Sequence, residues 1–213
     1  SMSSLRIKIL ATAEHYLKNH SLADAQINAL CQSAGVSRTS FYREFKNLDD
    51  MFSCLVASMW ANILKDIIAD VEAIEAPEQR LFEFSKQVAS IAQSRRYLPW
   101  DEKNITHAVK LMHKEDGKGL AAILGVVSPF MLRCQQQGGL RQDLHSDEIA
   151  DWILRQMWTL MSIPLPPSFA NEPLDRYIQI FIVDALRPNT TTAAKADDIN
   201  TKLDQILDKL RYL

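Results

Sequence analysis

Apolar residues recur at helical spacing along nearly the whole chain, and no segment alternates strictly between apolar and polar positions as a half-buried strand does. This pattern predicts an all-α protein. At the N-terminus it predicts a helix over residues 4–20, a short second helix over 27–34, and a third that begins after Ser37. Gly35 suits the left-handed position that ends a helix, and the Ser37 hydroxyl suits the N-cap of the next one. The two short helices are therefore expected to meet at a tight turn.

Proline and glycine residues divide the rest of the chain into longer helices. We predict helices over about residues 48–75, 78–96, 101–114, 117–137, 146–163 and 173–187, and a last one over 195–212. The expected organisation is a small N-terminal domain of residues 1–48, a larger helical body of residues 49–188, and a linker with a C-terminal amphipathic helix at 189–213.

The C-terminal segment carries a second kind of periodicity. Its apolar positions follow each other at alternating spacings of four and three, at Ile199, Leu203, Ile206, Leu210 and Leu213. Such spacing is typical of a coiled-coil seam, and a helix of about two heptads is marginal alone in water. The seam is therefore expected to be covered by the protein's own body, by a partner subunit or by another protein. Burial on a dimer of this chain is the simplest case, because it needs no additional component.

Two short helices joined by a turn with glycine form a helix-turn-helix, whose second helix lies in the major groove of DNA. Phe41 and Phe45 are four residues apart and are expected to hold that helix against its neighbours. Its other face offers Arg38, Thr39, Ser40, Tyr42 and Arg43. Arginine can bond a guanine edge, hydroxyls can contact bases, and a tyrosine can donate to a phosphate. The alternative is a solvated surface helix that Ser37 caps.

Charge is distributed unevenly along the chain. The formal net charge is −2, but residues 1–48 carry six basic and three acidic side chains, so this segment is +3 and the remainder is −5. Since phosphate neutralisation supplies most non-specific affinity for DNA, the basic N-terminal segment is the part expected to meet DNA.

Several other classes of protein are disfavoured. No run approaches the roughly 18 apolar residues of a membrane span and no secretory signal is evident, so we expect a cytoplasmic protein without membrane attachment. Three widely spaced cysteines in helical patterns favour reduced thiols over disulfides. The "GKG" at residues 117–119 lacks the rest of a phosphate-binding loop, and the histidines lack metal-ligand spacing. We therefore expect no enzyme, no cofactor and no metal site.

The N-terminal residues resemble the TetR/AcrR family of bacterial transcriptional regulators. The resemblance runs without a gap through "ILATAEHYL", "INALCQSAGVS", "RTSFYREF" and "KNLDDMF". It implies that Arg38, Thr39, Ser40 and Arg43 face the groove, and that Tyr42 holds a phosphate. Asn28 is implied to reach a base or the DNA backbone. Ser37 is a further expected contact, and Lys46 could restore a phosphate contact that the family usually makes with a lysine where this chain has Leu48. The chain departs from the family pattern at Ser21, Gln26 and Leu48, and Gln26 is a poor N-cap for the second helix.

In the TetR/AcrR family the last two body helices pair with those of a second subunit. Here both helices carry apolar residues around more of their circumference than one intramolecular face requires. The expected dimer interface comprises Ile149, Ile153, Met157, Leu160, Tyr177 and Phe181. The alternative is that both helices are simply central in the body.

The resemblance also implies an effector pocket in the body. Aromatic, methionine and histidine residues on the helices that enclose this pocket in the family are Trp60, Phe84, Tyr97, Trp100, His107, Phe130, Met131, Trp158 and Met161. Such a lining suits an apolar or aromatic ligand. The alternative is that each of these residues packs in the hydrophobic core and lines no pocket.

The resemblance thus implies a homodimeric repressor that leaves a palindromic double-stranded DNA operator when a small apolar or aromatic molecule binds. The alternative within the family is a constitutive DNA-binding dimer whose body engages another protein. A third possibility is a helical binding module without a role on DNA.

Overall fold

The computed structural model describes residues 3–21, 23–94, 102–114, 118–163, 173–189, 199–204, 206 and 210. Within that part every regular element is helical, so the prediction of an all-α protein is confirmed. The helices are α1 (Ser4–Leu17), α2 (Ile27–Ala34), α3 (Arg38–Glu44), α4 (Leu48–Val71), α5 (Pro77–Ser94), α6 (Glu102–Met112), α7 (Lys118–Gln136), α8 (Ser146–Ser162) and α9 (Pro173–Ile178).

The turn between α2 and α3 forms as its residues predict. Gly35 ends α2 with φ 61° and ψ 38°, a left-handed conformation that glycine adopts without steric cost. The Val36 amide donates to the carbonyl of Cys31 at 3.0 Å, which closes the end of the helix. The Ser37 hydroxyl accepts from the Ser40 amide at 3.0 Å and so caps α3. As expected of a poor cap, Gln26 makes no side-chain cap bond to α2.

Some helix ends differ from the predicted ones. α1 ends at Leu17 rather than near residue 20. The His20 ring nitrogen Nδ1 lies 3.0 Å from the Tyr16 carbonyl, and its ring stacks on that of Tyr16 at 4.0 Å. Because a carbonyl oxygen only accepts, the imidazole N–H donates in this bond and takes the place of a helical amide.

The body is built around α4, which packs against α5, α6 and α7 and, at its base, against α1. α4 is long and apolar enough to cross a membrane by length and composition, with a mean hydropathy of 1.4, but half of that window is buried inside the protein. Its N-cap is Asn47, whose side chain accepts from the Asp50 amide at 2.8 Å. α4 is therefore the central core helix that joins the N-terminal domain to the body.

α4 ends at Val71 rather than near residue 75, and Arg80 of α5 binds the chain just after that end. This side chain is only 6% exposed, and its Nε and Nη2 donate to the Ile74 carbonyl at 3.0 and 2.6 Å. Its Nη1 donates to Gln137 Oε1 at 2.6 Å, just beyond the end of α7. A buried guanidinium thus satisfies the carbonyl after α4 and ties the ends of α4 and α7 together.

The last two helices of the body also differ from their predicted form. α8 begins with a capping box, in which His145 Nδ1 accepts from the Asp147 amide and Glu148 Oε2 accepts from the His145 amide. α9 was predicted as one helix over 173–187, but its α-helical part ends at Ile178. A π-helical turn, Gln179–Val183, and a 3-10 turn, Asp184–Leu186, follow it. The Arg141 amide donates to the Leu186 carbonyl at 2.9 Å, so the loop before α8 fixes the end of this segment.

The three cysteines are free thiols, with Cys31 and Cys134 buried and Cys54 half-buried. Burial raises the pKa of the Cys31 thiol and of the Cys134 thiol.

Candidate nucleic-acid interface and body interior

α3 presents one apolar and one polar face. Phe41 and Phe45 are 0 and 2% exposed, and their rings meet at 5.6 Å within the core that α1 and α2 complete. On the opposite side Tyr42 is 46% exposed, and Arg38, Thr39 and Arg43 are exposed as well. The two phenylalanines therefore fix which face of α3 points outward.

Arg38 lies in a small cluster of polar groups at the start of α3. Its Nη1 donates to Asn28 Oδ1 of α2 at 2.6 Å, and its guanidinium carbon lies 5.8 Å from the centre of the Tyr42 ring. Since Asn28 and Arg38 are both exposed, this bond holds the guanidinium in place without burying it. The structure thus brings together three residues that the sequence had implicated separately.

The remaining predicted DNA contacts divide into two groups. Ser37 is committed to capping, since its hydroxyl accepts from the Ser40 amide and donates to the Ser40 Oγ at 2.9 Å. Ser40 is half-buried beside it. Thr39, Arg43 and Lys46 are exposed. Thr39 and Arg43 are four residues apart on α3 and therefore share a face of the helix. Ser37 and Ser40 are thus engaged with each other, while the other three residues are exposed.

Arg6 of α1 is a structural residue that sequence reasoning counted only as a charge. Its Nη1 donates to the Glu44 carbonyl at 2.7 Å, its Nη2 lies 3.0 Å from Cys54 Sγ, and its guanidinium sits 4.4 Å over the Phe45 ring. It therefore joins the start of α1, the end of α3 and the first turns of α4. These partners lie 38 and 48 residues away, so no local pattern marks the residue.

Five of the residues predicted to line an effector pocket lie in the interior of the body. Trp60, Phe84, Phe130, Met131 and Trp158 are at most 8% exposed. The rings of Trp60 and Trp158 meet edge to face at 5.3 Å, and those of Phe84 and Phe130 meet at 5.0 Å. Tyr97, Trp100 and the Met161 side chain lie outside the described residues. The five interior residues thus belong to one core cluster, to which α4, α5, α7 and α8 contribute.

Two buried hydroxyls lie on the helices that carry Phe84 and Phe130. Ser85 of α5 and Ser128 of α7 are 0 and 8% exposed. Neither hydroxyl has a hydrogen-bond partner in the structure. Because buried polar groups are normally satisfied, these two unpaired hydroxyls are unusual features of the core of the body.

His107 does not join that interior. It is an exposed residue of α6 whose Nε2 lies 3.5 Å from Asp49 Oδ1 in the first turn of α4. Lys114 Nζ lies 3.7 Å from the other oxygen of Asp49. His107, expected to line the effector pocket, therefore lies outside the interior that holds the other described residues of that list. It instead contacts the base of α4 from outside, where α4 leaves the N-terminal domain.

The predicted dimer residues also need correction. Ile149, Ile153, Met157 and Leu160 are at most 3% exposed within the single subunit, where they pack in the core that α8 shares with α5 and α7. Since these side chains have almost no free surface, they are core residues rather than contacts for a second subunit. Their spacing marks the inward stripe of α8.

A different stripe of the same two segments points outward. Trp152 of α8 is 42% exposed, and Ile180 and Phe181, in the turn after α9, are 39 and 53% exposed. The Phe181 ring meets that of half-buried Tyr177 at 5.0 Å, and the Tyr177 hydroxyl donates to Gln156 Oε1 of α8 at 2.9 Å. The body thus carries exposed aromatic and aliphatic side chains on α8 and beside α9.

The comparisons with known proteins agree with this geometry. Residues 9–54 match the sequence model of the family described as "Bacterial regulatory proteins, tetR family". The match covers α1, α2, α3 and the first turns of α4. No curated protein matches the chain.

Several solved structures have a fold similar to that of most of this chain. The TetR-family repressor AlkX from Dietzia sp. strain DQ12-45-1b, implicated in biodegradation of n-alkanes, is 15% identical. The alignment covers 85% of this chain and 96% of AlkX, with a TM-score of 0.61. The regulator FadR from Bacillus subtilis, solved with stearoyl-CoA, is 13% identical over 85% of this chain and 99% of FadR, with a TM-score of 0.52. FadR from Bacillus halodurans is 13% identical over 84 and 93%, with a TM-score of 0.54.

The helix-turn-helix of residues 9–54 is therefore of the kind found in DNA-binding transcriptional regulators, and the body shares its helical fold with the solved structures above. Residues 9–54 match the tetR family model, which confirms the resemblance seen in the sequence for the N-terminal part of the chain. Beyond residue 54 the relation to the solved structures is one of fold.

Proposed function

We propose that this regulator is a cytoplasmic homodimeric repressor that reads a palindromic double-stranded DNA operator. We further propose that a small apolar or aromatic effector, bound in the body, releases it from that operator. The observation that carries the proposal is the polarity of α3, whose apolar side is buried while Arg38, Thr39, Tyr42 and Arg43 are exposed. The division of labour follows the chain, with DNA reading in residues 1–48 and effector binding and dimerisation in 49–188.

Each exposed side chain of α3 has a proposed role. Arg38 is proposed to bond a guanine edge, and its exposed guanidinium, which donates to Asn28 Oδ1 at 2.6 Å, supports this role. The Tyr42 hydroxyl and the Lys46 ammonium suit phosphate groups, which set register and orientation without reading sequence. Thr39 and Arg43 lie on the same polar side and complete the base and backbone contacts.

Dimerisation follows from the limited reach of one recognition helix. α3 has 7 residues and can contact only a few base pairs, whereas two copies about one helical turn apart read a palindrome. The proposed contact uses the exposed residues Trp152, Ile180 and Phe181, with half-buried Tyr177 at its edge. Exposed aromatic residues on helices that already pack on the body offer apolar area for a twofold interface.

The effector site is proposed to be the aromatic interior between α4, α5, α7 and α8. Its rings favour an apolar or aromatic molecule, and the unpaired hydroxyls of Ser85 and Ser128 offer hydrogen bonds to one polar end of that molecule. Any displacement of α6 would act on α4 through the contacts of Asp49 with His107 and Lys114. A coupling of about 1 to 3 kcal/mol would lower operator affinity roughly 5- to 150-fold.

The DNA proposal is tested by selecting binding sites for the full chain from a random duplex library and measuring affinity by fluorescence anisotropy. We expect a palindromic consensus with half-sites about 34 to 36 Å apart and a steep loss of affinity with salt. Equal affinity for selected and random duplexes would refute sequence-specific reading.

The effector proposal is tested on the same complex with a panel of fatty acids, alkanes and aromatic acids. The acyl and alkane members are included because two regulators of similar fold are associated with n-alkane degradation and stearoyl-CoA. A saturable release of operator by a member of the panel supports the proposal. Tight operator binding that no member changes would favour the constitutive dimer whose body engages another protein.

A further inference from the structure

Four apolar residues of the C-terminal segment are exposed to solvent in the single subunit. Residues 199–204 are helical, and Ile199, Leu203, Ile206 and Leu210 are 56, 51, 58 and 59% exposed. The subunit's own body therefore leaves these four positions uncovered. Because a short helix with an exposed apolar stripe is marginal in water, this segment is stable only if something else covers the stripe.

The spacing of the stripe defines a heptad register. Alternating steps of four and three residues put Ile199 and Ile206 at positions d, and Leu203 and Leu210 at positions a. Isoleucine at a with leucine at d favours two-stranded coiled coils, whereas leucine at a with isoleucine at d shifts the preference to trimers and tetramers. The segment has the second arrangement at all four described positions.

We propose that four C-terminal helices, from two dimers of this chain, pack in one coiled-coil bundle and join the dimers into a tetramer. The number follows from the a and d residues together with symmetry. Subunits that pair through the body supply C-terminal helices two at a time. Two dimers supply four helices, and a four-stranded bundle covers the apolar stripe of each one. A three-stranded bundle would leave the stripe of the fourth helix uncovered. The proposed tetramer rests on the proposed dimer contact in the body, and the experiment below distinguishes a failure of the tetramer from a failure of the dimer.

The charges beside the stripe favour copies of the same segment in parallel orientation. The register puts Lys202 and Lys209 at positions g, and Asn200 and Leu207 at positions e. In a parallel bundle a residue at position g faces the residue at position e five places further on in the neighbour, so Lys202 meets the uncharged Leu207. In an antiparallel bundle g would face g, and lysines would meet lysines.

The short length of the helix is offset by tethering. About two heptads do not hold free peptides together, but a dimer keeps two of them at an effective concentration in the millimolar range. Each further dimer then adds two helices in one step. The resulting tetramer carries two operator-reading surfaces on one molecule.

The proposal is tested by sedimentation velocity on the full chain and three full-length variants. In the first variant Leu203→Asp and Ile206→Asp place charges in the stripe. In the second, Ile199→Leu, Leu203→Ile, Ile206→Leu and Leu210→Ile exchange the a and d residues without changing composition. The third, Asp204→Asn, changes a residue at position b and serves as the matched control. Since the stripe is exposed, none of these changes removes a core residue of the body.

We expect tetramers for the full chain and the Asp204→Asn control, and dimers for the other two variants. A full chain that is not tetrameric, a tetramer that survives the two aspartates, or a tetramer that survives the exchange of a and d residues would each overturn the proposal. A tetramer that falls to monomers with the aspartates supports the four-stranded bundle but refutes the proposed dimer contact in the body. Operator binding of the aspartate variant, measured on one site, reports on the DNA proposal alone and is expected to persist.

Discussion

α3 and α8 were both assigned an inner and an outer face from their sequences, and only the first assignment agrees with the structure. In α3 the apolar pair Phe41 and Phe45 is buried and polar residues face outward. In α8 the stripe that includes Ile153 and Met157, predicted to meet a second subunit, is the one that packs in the subunit's own core.

The difference lies in how many apolar stripes each helix carries. α3 has a single stripe, so burying it leaves no other choice of orientation. α8 has apolar residues on both sides, with Trp152 on one and Ile153 on another. For such a helix only the neighbours decide which stripe is inward, and here α5 and α7 cover the stripe of Ile153.

The largest expected effect on folding comes from substitutions that compare the buried apolar stripe of α8 with the exposed apolar residues beside α9. Met157→Asp buries an unpaired charge at a position that is 1% exposed and should prevent stable folding, because the cost is several kcal/mol. Phe181→Asp, at a position that is 53% exposed, should leave the subunit folded but monomeric. Circular dichroism measures whether each variant is folded, and sedimentation velocity measures its mass. The sedimentation experiment uses protein that also carries Leu203→Asp and Ile206→Asp, so that association through the C-terminal helix does not contribute to the mass.

A folded Met157→Asp protein would contradict the assignment of the inner stripe. A Phe181→Asp protein that is still a dimer when it also carries Leu203→Asp and Ile206→Asp would locate the subunit contact elsewhere.

The next effect concerns the aromatic interior. Phe84→Ala should lower the free energy of unfolding by about 3 to 5 kcal/mol, because the ring is fully buried against Phe130. Leu132→Ala, on the exposed side of α7, is the matched control and should change it by about 0.5 kcal/mol or less. Urea unfolding measures both. A loss near the control value for Phe84→Ala would show that this interior is not closely packed.

A smaller effect tests the outer face of α3. Arg38→Ala should cost about 1 to 3 kcal/mol on the operator and much less on random duplexes, because it removes the proposed base contact. Tyr42→Phe removes the proposed phosphate contact and should weaken binding to both duplexes by similar amounts. Anisotropy titrations on the two duplexes distinguish the cases. Equal losses for Arg38→Ala would reassign that residue to the phosphate backbone.

Asn28→Ala sharpens the same comparison. It removes the 2.6 Å bond that orients Arg38 but leaves the guanidinium available. We therefore expect a loss of operator affinity smaller than that of Arg38→Ala, and little further loss when both changes are combined. Fully additive losses would show that Asn28 contacts DNA independently.

The smallest effect lies in the loop before α8. Arg141 donates to both Asp143 oxygens at 2.7 and 2.6 Å, and these bonds lower the pKa of the Asp143 carboxyl from 3.8 to about 2. Because the pKa of Asp143 is lower in the folded protein than in the unfolded chain, the pair stabilises the fold fully at pH values above the unfolded pKa. This stabilisation is lost as the pH falls through the folded pKa. An NMR titration of the carboxyl should give its midpoint near 2, and an ordinary midpoint would mean that the pair does not persist in solution.

Much of the fold was predictable because its signals are local. The turn at Gly35, the cap at Ser37 and the anchoring phenylalanines of α3 lie within eleven residues, so sequence order places them together. The bond between Asn28 and Arg38 was not predictable as a bond, since it depends on the crossing of α2 and α3. His107 was misplaced for a similar reason, because its neighbour Asp49 is 58 residues away in sequence.

By itself the sequence determined that the protein is helical, where most helices begin, and which face of α3 carries the polar side chains. Those properties follow from periodicity, capping and glycine geometry, which act over one or two turns. Only the tertiary structure decided which stripe of α8 is buried, that Arg6 and Arg80 tie distant helix ends together, and that the C-terminal stripe stays exposed. These depend on contacts between residues far apart in the chain, and a helix with more than one apolar stripe does not specify which neighbour will cover it.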